Sequence, residues 1–308
     1  MILFALPLLE QLAEALESLP QVKRGHFSIG RFANGELHVT VETPPSGGPC
    51  LVLGSVAPPD EELLSTLLLS HTLRKEGALR VIALLPYLGY ARGDRAEPGK
   101  SLTTAWVGEI LHASCVAEVA TVDLHSLLAH QLFPIPLRSL SPAKIFAAAI
   151  TPLRLADVTI VAPDEGALER CEAVRRAAGI QRPLAHFTKK RTQEGVTHST
   201  LHGTVSSQVL LVDDILDTGK TLVSACEALG QMSVEEIIIM TTHALFTGTR
   251  WERLWTLGVS RLYCTDSVPL PQAWMSPRIA VLSVAPLIAD YLSRLPVAET
   301  KLSGERDL

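Results

Sequence analysis

The stretch "VLLVDDILDTGKTL", residues 209–222, decides the fold. A run of branched apolar residues is followed by three acids and then by a glycine beside a lysine. This pattern predicts a buried strand ending at Val212, an acidic turn, and a helix that begins near Gly219. A loop of this kind lies at the carboxyl edge of a parallel sheet, where α/β proteins bind their ligands.

The same loop has donors for a phosphate and acceptors for a sugar. Backbone N–H groups at a helix N-terminus hold a phosphate dianion, and a glycine permits its close approach. The preceding carboxylates could accept hydrogen bonds from sugar hydroxyls or bind Mg²⁺. The alternative, an acidic loop that only caps a helix, needs one acid rather than three. The predicted sugar-phosphate site comprises Asp213, Asp214, Asp217, Thr218, Gly219, Lys220 and Thr221.

Periodicity along the chain predicts an α/β protein with two similar halves. The chain has 308 residues, of which 47% are hydrophobic and 5% aromatic, so its strands must be built from Val, Ile and Leu. Short apolar runs alternate with helical stretches, and this rhythm restarts after "SPAKIFAAAI". We expect tandem domains at 1–145 and 146–308, each a mainly parallel sheet flanked by helices, with the sugar-phosphate loop in the second.

Charge and cysteine content argue against several classes of protein. The net charge is −5, without the basic stripe typical of nucleic-acid binding. The five cysteines lack metal-site or disulfide spacing. The N-terminal stretch lacks a basic leader, and no segment reaches the roughly 20 apolar residues that span a bilayer. We expect a cytoplasmic protein with reduced thiols and with neither nucleic acid nor a membrane as partner.

Six motifs carry a resemblance to a known family. Residues 209–222 resemble the ribose-phosphate loop of the type I phosphoribosyltransferase fold. Five further segments resemble, in order, motifs of the ribose-phosphate diphosphokinase (PRPP synthetase) family: "RFANGELHVTVE", "LPYLGYARGDRAEPGKSLTTAWVGEIL", "VATVDLHS", "VAPDEGALERCEAVRR" and "TKKR". The match runs nearly end to end, and six motifs in one order are specific.

The resemblance implies transfer of the diphosphoryl group of ATP to the C1 hydroxyl of ribose 5-phosphate, giving PRPP and AMP, with Mg²⁺ as cofactor. It assigns Lys189 and Arg191 as the catalytic pair, although the adjacent Lys190 leaves the register open by one. It makes His125 catalytic and a metal ligand together with Asp164. From the residues alone, the basic run could be a solvated turn, the histidine structural, and the aspartate a helix cap.

The resemblance also implies an adenine pocket shared between subunits. Its residues are Phe32, Asn34 and Glu36 of one subunit and Arg92 and Asp94 of its neighbour. Such a pocket requires a homo-oligomer, a dimer or a hexamer. Asn34 and Gly93 stand where the family usually has Asp and Gln, which leaves nucleotide selectivity open. Without the resemblance, the phenylalanine could fill an interface, and the Arg–Asp pair could be a surface ion pair.

Two other functions fit parts of the sequence. A catalytically silent regulatory homologue would have no reason to keep the basic pair, the histidine and the metal-binding aspartate. A phosphoribosyltransferase that consumes PRPP would need neither the "GYARGD" segment nor a second domain.

Overall fold

The computed structural model describes residues 1–153, 157–192, 195–274 and 276–295; for residues 189–192, 195–199 and 273 it describes the backbone only. The strands are β1 (Ile2–Ala5), β2 (Lys23–Arg24), β3 (Phe27–Arg31), β4 (Leu37–Val41), β5 (Pro49–Leu53), β6 (Arg80–Leu85), β7 (Val116–Val122), β8 (Leu137–Leu140), β9 (Val158–Ala162), β10 (Ala185–Thr192), β11 (Gly195–His202), β12 (Gln208–Leu216), β13 (Glu236–Ala244), β14 (Val259–Thr265) and β15 (Ile279–Leu282). The helices are α1 (Glu10–Glu17), α2 (Asp60–Lys75), α3 (Thr103–Ala113), α4 (Ala129–Leu132), α5 (Ala143–Ile150), α6 (Leu168–Ala177), α7 (Lys220–Leu229) and α8 (Ala285–Ser293). None of these helices has both the length and the apolar character needed to cross a bilayer.

The chain forms two compact units that interleave in sequence. The first unit contains Met1–Thr121, Leu127–Arg138 and the described residues from Ala285 onward. The second unit contains Val122–Ser126 and Ser139–Val284. The sequence rhythm predicted a single boundary between 145 and 146. Contacts instead assign the short segment after β7 to the second unit and α8, which packs on α1, to the first.

The first unit is built on a six-stranded sheet in the order β2-β1-β5-β6-β7-β8. Within this sheet, the neighbouring strands in the run β2-β1-β5-β6-β7 are parallel. Strands β3 and β4 form a separate antiparallel hairpin. The inner strands β5 and β6 are buried along almost their whole length, as expected when helices cover both faces.

The second unit is built on a seven-stranded sheet in the order β11-β10-β9-β12-β13-β14-β15, parallel except for the β10–β11 pair. Successive residues of β12 enter different hydrophobic clusters, because side chains of a strand alternate between faces. Val209 and Leu211 join one cluster with α7, and Leu210 and Val212 join another with α6. These mainly parallel sheets confirm the predicted fold class.

Strand β12 is longer than predicted. The expected end at Val212 is wrong, because the strand continues to Leu216 and pairs with β13 through Asp213 and Ile215. Both aspartates therefore lie inside a strand rather than in a turn. A buried carboxylate is tolerated there only if other elements supply partners, which a local pattern cannot reveal.

A buried acid in the first unit has such partners. Glu118 on β7 accepts hydrogen bonds from Arg80, from Arg138 Nε at 3.2 Å and from the Tyr291 hydroxyl at 2.8 Å. Burial, with the hydrogen bond to this carboxylate, raises the pKa of Tyr291. We call these four residues the Glu118 cluster; it connects α8 to the sheet.

Candidate active site

The β12–α7 loop requires a glycine at the start of the helix. Gly219 precedes α7 with φ of 78°, in the left-handed region that favours glycine. A Cβ at this position would lie 2.7 Å from the Cα of the buried Trp251. The helix begins at Lys220, as predicted near Gly219, so its first N–H groups follow the short segment 217–219 after β12.

Two buried carboxylates precede that helix. Asp213 and Asp214 are 7% and 5% exposed. The Asp214 main-chain N–H donates to Asp213 Oδ1 at 3.0 Å, and Asp214 Oδ2 lies 2.6 Å from His125 Nδ1. The structure thus brings together predicted residues that are 89 positions apart in the sequence.

A third buried carboxylate and one guanidinium complete this group. Arg170, on α6, donates through Nε to both carboxylate oxygens of Asp123 at 2.9 Å. Its Nη2 lies 3.7 Å from Asp214 Oδ2. We call Asp123, His125, Arg170, Asp213 and Asp214 the Asp123 cluster. It contains three acids but only one residue that is always cationic.

The surroundings of Asp213 and Asp214 shift the pKa values of these two acids in opposite directions. Burial and the charge of Asp214 raise the pKa of Asp213 well above its usual range. Burial opposes ionisation of Asp214 as well, but the hydrogen bond from His125 and the charge of Arg170 outweigh it and lower its pKa. Asp214 is therefore the ionised member, and His125 donates its Nδ1 proton to it.

Strand β13 and its neighbour support the same cluster. The Thr242 hydroxyl donates to Asp123 Oδ2. His243 Nε2 lies 3.1 Å from the Val122 carbonyl, and its Nδ1 lies 2.8 Å from Ser267 Oγ. Burial lowers the pKa of this histidine, which makes it a neutral donor to the carbonyl. Sequence reasoning missed these supports; the one signal was Asp123, two positions before the predicted histidine.

Asp164 has a capping role in the structure. It precedes the 3₁₀ turn Glu165–Ala167, and its Oδ1 accepts the Ala167 N–H at 3.2 Å. Its charge also acts on Asp213, which places it near the Asp123 cluster. Within the described residues, no group of three or more His, Cys, Asp or Glu side chains could hold a metal ion. A cation at this site would therefore need ligands from water or substrate as well.

The comparisons with known proteins agree with one another. Residues 1–114 match the N-terminal domain of ribose phosphate pyrophosphokinase, and residues 129–254 match a phosphoribosyl transferase domain. Ribose-phosphate pyrophosphokinase from Campylobacter jejuni is 31% identical over 280 residues, covering 90% of this chain and 89% of the relative. The enzyme from Bacillus caldolyticus is 31% identical over 297 residues, covering 95% and 94%. The crystal structure of phosphoribosylpyrophosphate synthetase from Mycobacterium smegmatis superposes with a TM-score of 0.86 at 27% identity, over 95% of this chain and 97% of that one.

The chain belongs to the ribose-phosphate pyrophosphokinase family. This confirms the family predicted from the six motifs, its two phosphoribosyltransferase-like domains, and its classification as a diphosphotransferase of nucleotide biosynthesis.

The predicted catalytic pair of this family member lies on a hairpin. Lys189 and Arg191 belong to β10, which pairs antiparallel with β11, with a register shift after Thr188. The backbone of the whole "TKKR" motif is part of this strand. The side chains of Lys189, Lys190 and Arg191 lie outside the described part of the structure, so their catalytic roles stay predictions.

The predicted adenine-binding residues lie in two places in the first unit. The tip of the β3–β4 hairpin carries Phe32 and Asn34. The Phe32 side chain is 57% exposed, and the centroid of its ring lies 4.8 Å from that of His38. The Asn34 Oδ1 accepts the Glu36 N–H. Arg92 is exposed and Asp94 half-buried in the segment after β6. The intervening Gly93 packs so closely that a Cβ there would lie 2.3 Å from Thr103 Oγ1. A larger residue at position 93 would need either Thr103 or this segment to move.

Proposed function

We propose that this chain transfers the β,γ-diphosphoryl group of ATP to the C1 hydroxyl of ribose 5-phosphate, giving PRPP and AMP. The observation that carries the proposal is the surplus of buried carboxylates beside the N-terminus of α7. A helix N-terminus attracts a phosphate, while neighbouring carboxylates accept hydrogen bonds from sugar hydroxyls. The two features together fit a sugar phosphate better than either fits alone.

Ribose 5-phosphate would bind in the β12–α7 loop. The N–H groups from Asp217 to Thr221 and the hydroxyls of Thr218 and Thr221 are the proposed phosphate donors. Lys220 is exposed and can add its charge to the same phosphate. The Asp217 carbonyl accepts the Thr247 N–H at 3.1 Å, which fixes the loop from its far side. Asp213 and Asp214 would meet the ribose hydroxyls.

Mg²⁺ is the proposed cofactor, because the residues present fit a hard divalent cation. The Asp123 cluster has more acids than bases, and its oxygen ligands are those that Mg²⁺ prefers. His125 would bind through Nε2, since Asp214 holds its Nδ1 proton. Asp164 would be the carboxylate ligand, with water and substrate phosphates completing the set. The bound ion would neutralise charge on the diphosphoryl group.

The chemistry needs an aligned acceptor and positive charge over the transferring oxygens, as in other phosphoryl transfers. Lys189 and Arg191 are proposed to supply that charge from the β10–β11 hairpin. Phe32 would stack on adenine, with Asn34 and Glu36 beside it. Arg92 and Asp94 would come from a neighbouring subunit, so the active form would be a homodimer or a hexamer.

The five cysteines are unpaired thiols, which fits a reducing cytosol.

The deciding experiment supplies ATP, Mg²⁺ and ribose 5-phosphate and measures AMP and PRPP by ³¹P NMR. Equal amounts of both products are expected, with no turnover in excess chelator. Lys189→Ala and Arg191→Ala should each lower kcat by about 10²-fold or more with little change in substrate affinity, because their contacts form as charge develops.

The other outcomes point elsewhere. Absence of AMP would favour a silent regulatory homologue, and consumption of added PRPP with a purine or pyrimidine base would favour a phosphoribosyltransferase. Normal kcat in both variants would move the catalytic role to Lys190.

A further inference from the structure

Asp123 occupies a demanding position in the fold. It follows β7 directly and precedes His125 by two residues. Its φ of 46° lies in the left-handed region, which costs a side-chain-bearing residue free energy but which aspartate tolerates better than most. The residue is only 9% exposed. Contacts from other elements must therefore hold it in this conformation.

Those contacts reach both its side chain and its main chain. The carboxylate receives Arg170 Nε on both oxygens and the Thr242 hydroxyl on one. The main-chain N–H donates to the Leu140 carbonyl at 2.9 Å. A carboxylate engaged by these donors serves to fix the chain that carries His125.

Arg170 also reaches the other side of the same histidine. Its Nη2 lies 3.7 Å from Asp214 Oδ2, the oxygen that is 2.6 Å from His125 Nδ1. The Arg170 guanidinium therefore contacts both Asp123, which fixes the backbone before His125, and Asp214, which orients the imidazole ring. The Arg170 side chain is only 10% exposed, and its guanidinium contacts both Asp123 and Asp214.

We propose that Arg170 is a positioning residue that holds His125 for diphosphoryl transfer, acting through Asp123 and Asp214 rather than through contact with a substrate. The effect on catalysis rests on the activity proposed above. Lysine cannot replace arginine in this role, because an ammonium group is a single point charge and cannot span two carboxylates with a planar fork. The competing explanation is that Arg170 only neutralises buried acids to stabilise the fold.

A double-mutant cycle separates these explanations. Arg170→Lys keeps the charge and should lower kcat by about 10–100-fold, the range typical when a partner that orients a ligand is lost. In a His125→Ala background the same change should cost less than about threefold, because the residue through which it acts is gone. Equal losses in both backgrounds, or no loss in either, would overturn the proposal.

Arg175→Lys is the matched control. Arg175 lies on the same helix and pairs with Glu172 through Nε at 2.7 Å, away from the Asp123 cluster. Its kcat should equal that of the wild type. If Arg170→Lys fails to fold, Thr242→Val removes only one hydroxyl donor to Asp123. It should lower kcat by about 3–10-fold in the wild type and not in the His125→Ala background.

A second readout does not depend on activity. In ¹⁵N-histidine-labelled protein, the ring nitrogens of His125 are identified by their loss in His125→Ala. Arg170→Lys should shift these resonances because the hydrogen bond to Asp214 is disturbed, whereas Arg175→Lys should leave them in place. Unchanged shifts in Arg170→Lys would refute the positioning role, whereas shifted resonances in a protein that forms no AMP would refute only the proposed reaction.

Discussion

Two clusters contain buried acids, and they differ in their balance of charge: Glu118 lies on β7, whereas Asp123 follows β7 and is joined by Asp213 and Asp214 of β12. In the Glu118 cluster, one carboxylate meets two guanidinium groups and a phenol. In the Asp123 cluster, three carboxylates meet one guanidinium and one imidazole. The single acid of the first cluster meets two cationic side chains, whereas the second cluster has more acids than cationic side chains. The proposed site is therefore the cluster with the surplus of acid, and the predictions below test whether this difference separates function from structure.

The largest expected effect concerns activity. Asp214→Ala removes the ionised acid that orients His125 and is proposed to contact ribose, so kcat/KM for ribose 5-phosphate should fall by about 10²-fold or more. Steady-state kinetics at saturating ATP and Mg²⁺ provide the measurement. Glu118→Gln, which changes a buried acid of the other cluster, should keep wild-type kinetics. Similar losses in the two variants would remove the distinction between the clusters.

The second effect concerns stability. Glu118→Gln leaves an amide that cannot accept from Arg80, Arg138 and Tyr291 as a carboxylate does. The free energy of unfolding should fall by about 1–3 kcal/mol, the usual cost of disrupting buried hydrogen bonds. Urea titration followed by circular dichroism measures it. The control is Glu172→Gln: this acid also has two arginine partners, but it lies nearer the surface of α6. A loss as large in the control would mean that burial does not matter.

The smallest effect is a pH dependence in the support of the Asp123 cluster. Burial lowers the pKa of His243, so the folded state binds its proton less tightly than the unfolded state does. Its contribution to stability is therefore present above the unfolded pKa of about 6.5 and is lost as pH falls, by up to about 1.4 kcal/mol per pH unit. Urea titrations at steps of about one pH unit, from about pH 5 to about pH 8, measure the slope of the free energy of unfolding against pH.

His243→Gln should flatten that slope, because the titrating imidazole is gone. His130→Gln removes an exposed imidazole and should leave the slope in place. The same slope in His243→Gln as in the wild type would show that another group is responsible.

The sequence was sufficient for those features that depend on local pattern. Alternating apolar runs indicated the two parallel sheets, and a glycine beside a lysine indicated the start of α7. Strand β12 was predicted too short, because aspartates normally end strands and the partners that keep Asp213 and Asp214 inside it come from distant segments. Arg170 and Thr242 are 47 and 119 residues from Asp123, and no spacing rule connects them. The side chains that satisfy buried charge become visible only when the chain is folded.

The most direct test of the difference between the clusters is cation binding. Mn²⁺ can replace Mg²⁺ and be followed by EPR, in the presence of ribose 5-phosphate and α,β-methylene-ATP, in which the bond to be broken is not cleavable. Wild-type protein and Glu118→Gln should bind the complex with equal affinity, whereas His125→Ala and Asp164→Ala should bind it about 10–100-fold more weakly. Equal affinity in all four proteins would contradict the assignment of the Asp123 cluster and its neighbour Asp164 as the cation-binding site.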